Sequence, residues 1–424
     1  MSCILGKRPS LRLVLCPMLA GAIFCSCGPA SRAGSDGLMA QSASLTIDPS
    51  KELVINDLSV VEDPTRTVWQ QTDDGGRAAW TFGHLVRNMA GEHDPSDFVL
   101  QWLKTWEAPQ VVNGRSVAAR PSIRSLVIDP WRQASGCDPG DSPCYLDFSR
   151  APFRLLAIVN RPDLRTFIPA AGGDAGQGRF VFGVLNPAGA KFQFTAIFEY
   201  SLVAQSTDDV TGWAQRWHNL GRHPFGDTYN QVLQNITEDF AGPNVAADRP
   251  NGSALLQLRT NEVVLSPSTP LLWELREFNI SASTGLLGLV TVKQTPDISL
   301  NNTQTLADYI NGHADEIISN RAVVPTELLG GSAPNPGMFA PSASDFVWRA
   351  PGVAESLRHQ FAINTCNGCH LSETSTRFTH VKPRNAGVQA ALSDFLRLTA
   401  IPARVDDMSG LLSGEQRGPE KHTD

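Results

Sequence analysis

Several familiar catalytic signatures are missing from this chain. There is no Gly-x-Ser-x-Gly, no His-Glu-x-x-His and no glycine-rich phosphate loop followed by lysine. Serine hydrolases of the nucleophile-elbow type, zinc proteases and P-loop nucleotide hydrolases therefore have no sequence support. Positive charge is also in deficit, with 35 Lys and Arg against 42 Asp and Glu and a net charge of -7. Three of those cations, Lys7, Arg8 and Arg12, precede Cys27, and no acidic residue does; without them the remainder stands at -10 (-7 - 3). That balance argues against a nucleic-acid partner. No internal repeat is visible. The one early apolar run, residues 13–24, is too short to span a bilayer comfortably. Cysteine is scarce in the body of the chain: of eight, Cys3, Cys16, Cys25 and Cys27 lie at the start, leaving Cys137, Cys144, Cys366 and Cys369.

The start reads as an export signal over residues 1–26, with a basic beginning and an apolar centre. Phe24-Cys25-Ser26-Cys27 resembles a bacterial lipobox, which makes Cys27 the expected lipidation site and the lipid the only expected tie to a membrane. Phe24 departs from the usual Leu, so plain cleavage near Ala30 stays open. Residues 27–44, rich in Gly, Ala and Ser, read as a flexible tether. Export implies an oxidising compartment, the periplasm or the outer-membrane surface. Cys137 and Cys144, in Gly-Cys-Asp-Pro-Gly-Asp-Ser-Pro-Cys, are then expected to form a disulfide.

Residues 45–328 are expected to form a large α+β domain. Apolar spacing predicts helices over 78–89 and 96–106, the second starting at Asp94-Pro95-Ser96-Asp97 and burying Trp102 and Trp106 as core residues. Residues 153–160 read as a strand. Residues 179–185 and 191–200 read as a hairpin around Asn186-Pro187-Ala188-Gly189-Ala190. Helices over 208–219 and 227–240, strands over 261–265, 271–280 and 286–293, and a helix over 305–320 follow. Hairpins, then helices, then strands point to a largely antiparallel sheet with packed helices. Residues 329–344 read as a linker or long loop. Residues 345–424 form a small, mainly helical segment, with helices expected over 352–365 and 388–398.

That last segment holds Cys366-Asn367-Gly368-Cys369-His370, the C-x-x-C-H form of a covalent haem attachment site. Two thiols at this spacing suit thioethers to one haem c, and the adjacent imidazole suits an axial iron bond. Gly368 leaves room for a macrocycle against the backbone. The motif at a helix end resembles small c-type cytochromes over about residues 351–410. The resemblance implies Cys366 and Cys369 as attachment residues and His370 as proximal ligand. It stops short of a whole cytochrome domain: too little chain follows, and Met408 lacks the setting of a distal ligand. For the sixth position His380 ranks first, an open site second and Met408 third; His359 lies seven residues before Cys366 on the proximal side. Arg377 and Arg384 are candidates to pair with the haem propionates. His84, His93, His218 and His223 have no metal-ligand spacing with a third ligand and read as structural.

The expectation is an exported monohaem c-type protein that transfers single electrons to a redox partner protein. Peroxidase-like chemistry is allowed only if the distal position is open. The rival is a haem-free cell-envelope binding or scaffold lipoprotein with a Cys366–Cys369 disulfide. A zinc site of Cys366, Cys369 and His370 or His380 suffers from the adjacent Cys369 and His370 and from the absence of a second C-x-x-C. Thioredoxin-like work lacks a surrounding βαβ pattern.

Overall fold

Alternation of residue type along four long strands sets the architecture. The structure, a computed structural model, describes residues 45–70, 78–138, 140, 143–166, 173–268, 271–335 and 346–414. The expected signal, tether and Cys27 lie outside those residues. The strands are β1 (Val54–Ile55), β2 (Gln110–Val112), β3 (Arg115–Val117), β4 (Phe153–Arg161), β5 (Gly173–Leu185), β6 (Lys191–Ala204), β7 (Leu255–Glu262), β8 (Trp273–Ile280), β9 (Leu287–Val290) and β10 (Ala333–Asn335). One sheet runs β1-β4-β5-β6-β7-β8-β10, with β9 also on β8, and every pairing is antiparallel; β2 and β3 form a separate hairpin. The fold is α+β. Strand β10 lies within the stretch that reads as a linker, where Gly and Pro hide a short edge strand.

The two faces of the sheet differ in chemistry. One register row aligns Ile158, Phe180, Phe198, Leu258 and Phe278. Against this face pack helices α1 (Phe82–Ala90), α2 (Pro95–Lys104) and α4 (Asp227–Ala241). Phe82 meets Phe182 and Phe198, Trp102 and Trp106 meet Phe278, and Phe240 meets Phe180 and Tyr200. Thr81 caps α1 by accepting from the His84 amide. Asp94 accepts from the Ser96 and Asp97 amides ahead of α2, and Ser206 forms a capping box with Asp209 at α3 (Thr207–Gly221). Aromatic burial of this density is the main apolar driving force, since each such ring removes roughly 150–250 Å² from water.

The opposite face is mixed. One row reads Val54, Val159, Arg179, Glu199, Gln257; the next reads Ala157, Val181, Ile197, Arg259, Glu277. The C-terminal segment covers it. That segment contains α7 (Glu355–Ile363), the one-turn α8 (Cys366–Cys369) and, after a π-helical turn over Leu396–Ala400, α9 (Ile401–Ser413); α5 (Gln304–Gly312) and α6 (Ala314–Ile318) pack beside α7. The last helix therefore starts and ends later than the spacing predicts, because the wide π turn shifts its apolar phase. Residues from Thr46 onward form one compact unit. Cys137 and Cys144 are joined in a disulfide. Among the described residues no helix is long and apolar enough to cross a membrane.

His84, on α1, is half-buried, and its Nε2 lies 3.2 Å from Asn88 Nδ2. Burial, with help from Arg87, pushes its pKa down to about 4. The unfolded chain then binds a proton near pH 6.5 that the folded chain refuses until about 4. The stabilisation is full above pH 6.5 and lost as pH falls through 4, by up to about 3 kcal/mol. Urea midpoints measured from pH 7 to 4 are expected to fall less steeply in His84→Asn than in the native chain. Parallel curves would assign the acid sensitivity elsewhere.

Candidate functional site

The C-x-x-C-H motif sits where the C-terminal segment meets the mixed face of the sheet. Thr365 starts α8: its hydroxyl accepts from the Gly368 amide and from the Trp348 indole, and donates to Ala362 O. The Cys366 amide donates to Thr295 Oγ1 at 3.0 Å, which docks the turn on the large domain. Cys366 and Cys369 are both buried thiols, 1% and 0% exposed. Burial raises the Cys366 pKa, and the Arg259 guanidinium offsets that only in part. The thiol form therefore dominates near neutral pH.

The His370 ring has a defined tautomer. Nδ1 lies 2.7 Å from Phe378 O, and a carbonyl only accepts, so Nδ1 carries the proton and Nε2 the lone pair. Asn261 Nδ2 donates to the same carbonyl at 2.5 Å; its 3.4 Å approach to His370 Nδ1 joins two donors and is not a hydrogen bond. Trp273 stacks on the His370 ring, with centroids 5.5 Å apart, and its indole N–H donates to Asn261 Oδ1. Phe378 takes φ +62°, an uncommon conformation for a bulky residue, and this turns its carbonyl back toward His370.

His380 is placed differently. Nε2 lies 3.3 Å from Cys369 Sγ and Nδ1 lies 2.8 Å from Ser393 Oγ. The His370 and His380 ring centroids are 4.6 Å apart. An iron between two imidazoles, with metal–nitrogen bonds of about 2.0–2.1 Å, needs more than about 6 Å between ring centres. In this arrangement His380 partners a thiol, and ligation opposite His370 requires the rings to separate. Met408 is fully buried within α9, and His359 is half exposed with Nδ1 2.6 Å from Glu373 Oε2. Neither lines the cavity described next. Among the described residues no three His, Cys, Asp or Glu side chains converge as a metal-holding group.

Cys366, His370 and His380 line a cleft between sheet and C-terminal segment, with about 650 Å³ of empty space including its mouth and about 60 Å³ enclosed. Its walls are segregated. Val54, Val159, Val181, Ile197, Leu275, Val381 and Leu396 make the apolar part, whereas Arg161, Arg179, Arg259, Arg404 and Glu199 make the charged part. Arg179 Nη2 lies 3.4 Å from Glu199, Arg259 lies 3.7 Å from Glu199 and 3.2 Å from Glu277, and Arg404 lies 3.6 Å from Asp163. Burial alone would raise the Glu199 pKa; Arg179 and Arg259 overcome it and hold the carboxyl below its usual range. No sequence signal marked these residues as a site. Arg161, Arg179, Glu199 and Arg259 are strand residues, and Arg404 lies on α9.

Arg384 and Arg377 are not among the residues lining the cleft. Arg384 is buried against the N-terminal region, paired with Glu62 and donating to Val61 O and Leu155 O; Arg377 is exposed. His218, as a structural reading implies, holds the buried Glu52, with Nδ1 3.0 Å from Oε2. No family model, no curated protein and no solved structure matches the chain.

The donor chemistry suits haem c. Two unoxidised thiols and an imidazole with its Nε2 lone pair stand beside an amphiphilic cleft. The enclosed volume holds only a few waters, so the cleft as it stands does not admit a macrocycle. Gly368, expected to leave room for the macrocycle, instead makes room for the chain: a Cβ there would lie 2.1 Å from Ala362 O. Gly368→Ala is therefore expected to lower stability by about 1–3 kcal/mol in urea titration, with or without haem. Gly212→Ala, in open space on α3, is expected to be neutral or slightly stabilising. Equal stability of Gly368→Ala and the native chain would contradict the packing argument.

Proposed function

We propose that this is an exported monohaem c-type protein that passes single electrons in the bacterial cell envelope. Cys366 and Cys369 would hold the haem and His370 would bind its iron. The group supplies a one-electron iron couple; the chain supplies attachment, orientation and a low-dielectric setting. The observation that carries the reading is the 2.7 Å approach of His370 Nδ1 to Phe378 O within a C-x-x-C-H whose two cysteines are not joined in a disulfide. A backbone carbonyl on the far ring nitrogen is the usual way a protein orients a metal-binding imidazole and raises its basicity.

Each remaining residue has a task in this reading. Trp273 and Asn261 hold the His370 ring plane and its carbonyl partner. Thr365 and Thr295 fix the turn that presents the two thiols. Arg358 and Glu373, 2.5 Å apart, brace α7 against the chain after the motif. The apolar wall would lower the local dielectric beside the group.

The test is a pyridine haemochrome spectrum of the denatured full chain, produced in cells with haem-attachment machinery. One covalently retained haem per chain is expected, and Cys366→Ala/Cys369→Ala is expected to lose it. A colourless native chain, or haem extracted equally from both by acid and organic solvent, would refute the reading.

A further inference from the structure

Two buried carboxylates face each other on the aromatic side of the sheet, behind the strand residues that hold His370. Glu262 ends β7, and Glu274 stands opposite it on β8 as its register partner. Glu262 lies at an even spacing from Leu258 and so shares the aromatic face. The two acids are 1% and 4% exposed. Arg120 lies between them, with Nη1 2.5 Å from Glu262 Oε1 and Nε 2.8 Å from Glu274 Oε2. Arg276 Nε lies 2.9 Å from Glu274 Oε2, and its Nη2 donates to Ala118 O. Glu274 therefore has two guanidiniums, and Glu262 has a share of one. The Leu265 amide donates to Glu262 Oε2 at 2.9 Å. The charged groups that face Glu262 are Arg120, from the chain after β3, and Glu274 and Arg276 from β8. From β6 it meets Phe194, with Trp106 packed on that ring, and neither is ionisable.

Two carboxylates in one buried site oppose each other's ionisation. Burial pushes the Glu262 pKa up to about 7; Arg120 opposes the rise and the Glu274 charge adds to it. The folded chain thus keeps a proton up to about 7 that the unfolded chain, with an ordinary carboxyl near 4.5, has already released. That difference favours folding fully below pH 4.5 and is lost as pH rises through 7. The neighbouring strand positions point to the opposite face of the sheet. Asn261 precedes Glu262, and its Nδ2 donates to Phe378 O, the acceptor of His370 Nδ1. Trp273 precedes Glu274, donates to Asn261 Oδ1 and stacks on the His370 ring. The two residues that seat His370 are therefore the chain neighbours of the two acids.

We infer that Glu262 and Glu274 form a proton-operated switch behind the C-x-x-C-H motif, in which one proton taken up by the pair alters the Arg120 bridge between β7 and β8 and, with it, the seat of the His370 ring on Trp273 and Asn261. The two states differ in defined contacts. With Glu262 ionised, Arg120 joins β7 to β8 through two carboxylates. With Glu262 protonated, Arg120 meets a neutral acceptor on β7, and its charge is held by Glu274 on β8 and by Leu272 O. A charge-assisted hydrogen bond is about twice as strong as a neutral one, so the bridge is firmer in the ionised state. No haem atom takes part, and the switch does not rest on the haem reading.

The test follows the His370 ring nitrogens by NMR in the full chain labelled with nitrogen-15 histidine, between about pH 5 and 9. Their signals are assigned by their loss in His370→Gln. In the native chain they are expected to shift with a midpoint near 7. Glu262→Gln is expected to abolish that step. Glu274→Gln is expected to move it to lower pH, because the charge that opposes Glu262 ionisation is gone. Urea midpoints over the same range are expected to fall with rising pH more steeply in the native chain than in Glu262→Gln. The two variants act on the step in different ways, so if one fails to fold the other still decides. His370 signals that do not respond to pH in the native chain, or that shift with the native midpoint in the variants, would overturn the switch.

Discussion

Glu199 is wholly buried on the middle of the sheet between Arg179 and Arg259, and much of the molecule is arranged around that fact. Strand alternation gives the sheet two faces that one kind of neighbour cannot cover. The aromatic face takes the apolar stripes of α1, α2 and α4. The charged face cannot, because an apolar helix laid over Glu199 and its arginines would strip water from them and return nothing. Its cover must bring polar groups of its own. The C-terminal segment does: Arg404 reaches Asp163, Asp407 pairs with Arg165 at 2.5 Å, and His370, His380 and Thr379 line the gap. The motif-bearing segment thus completes one side of the α+β unit, with α9 held by ion pairs and the motif turn by Thr295 and Thr365.

Such a cluster is not explained by stability. Buried ion pairs are often replaceable by apolar residues without loss, whereas removing one partner alone is strongly destabilising. Arg161, Arg179, Arg259 and Arg404 are each ion-paired within the fold, to Asp163, Glu199 or Glu277.

How far the sequence revealed this depends on the element. The β5–β6 hairpin was readable from Asn186-Pro187-Ala188-Gly189-Ala190 between two alternating runs, and α3 and α4 from spacing and their acidic starts. The C-x-x-C-H and its preceding helix were readable because that chemistry needs adjacent residues. Strand β1, only Val54–Ile55, was not: two residues carry no period. The last helix was displaced because Leu396–Ala400 is π-helical and because Pro402, Asp406, Asp407 and Gly410 dilute its apolar stripe. The charged wall was invisible for a deeper reason. Alternation tells which residues share a face, but not what covers that face. Arg179, Glu199 and Arg259 look the same in sequence whether water or another segment lies above them.

The two imidazoles show the same limit at atomic scale. In sequence, His370 is marked by the C-x-x-C-H motif and His380 only by its distance from it. In the fold, His370 Nδ1 meets a carbonyl, which can only accept, and that single fact commits the proton to Nδ1 and the lone pair to Nε2. His380 meets a hydroxyl on one nitrogen and a thiol on the other. Each of those groups can donate or accept, so neither tautomer is imposed. Holding the carbonyl in place costs about 1–3 kcal/mol of backbone strain at Phe378, and the hydrogen bonds from His370 and Asn261 offset it. A protein that needed only to bury a histidine would have no use for that strain. The same residue type thus meets a fixed acceptor at His370 and two groups of either polarity at His380.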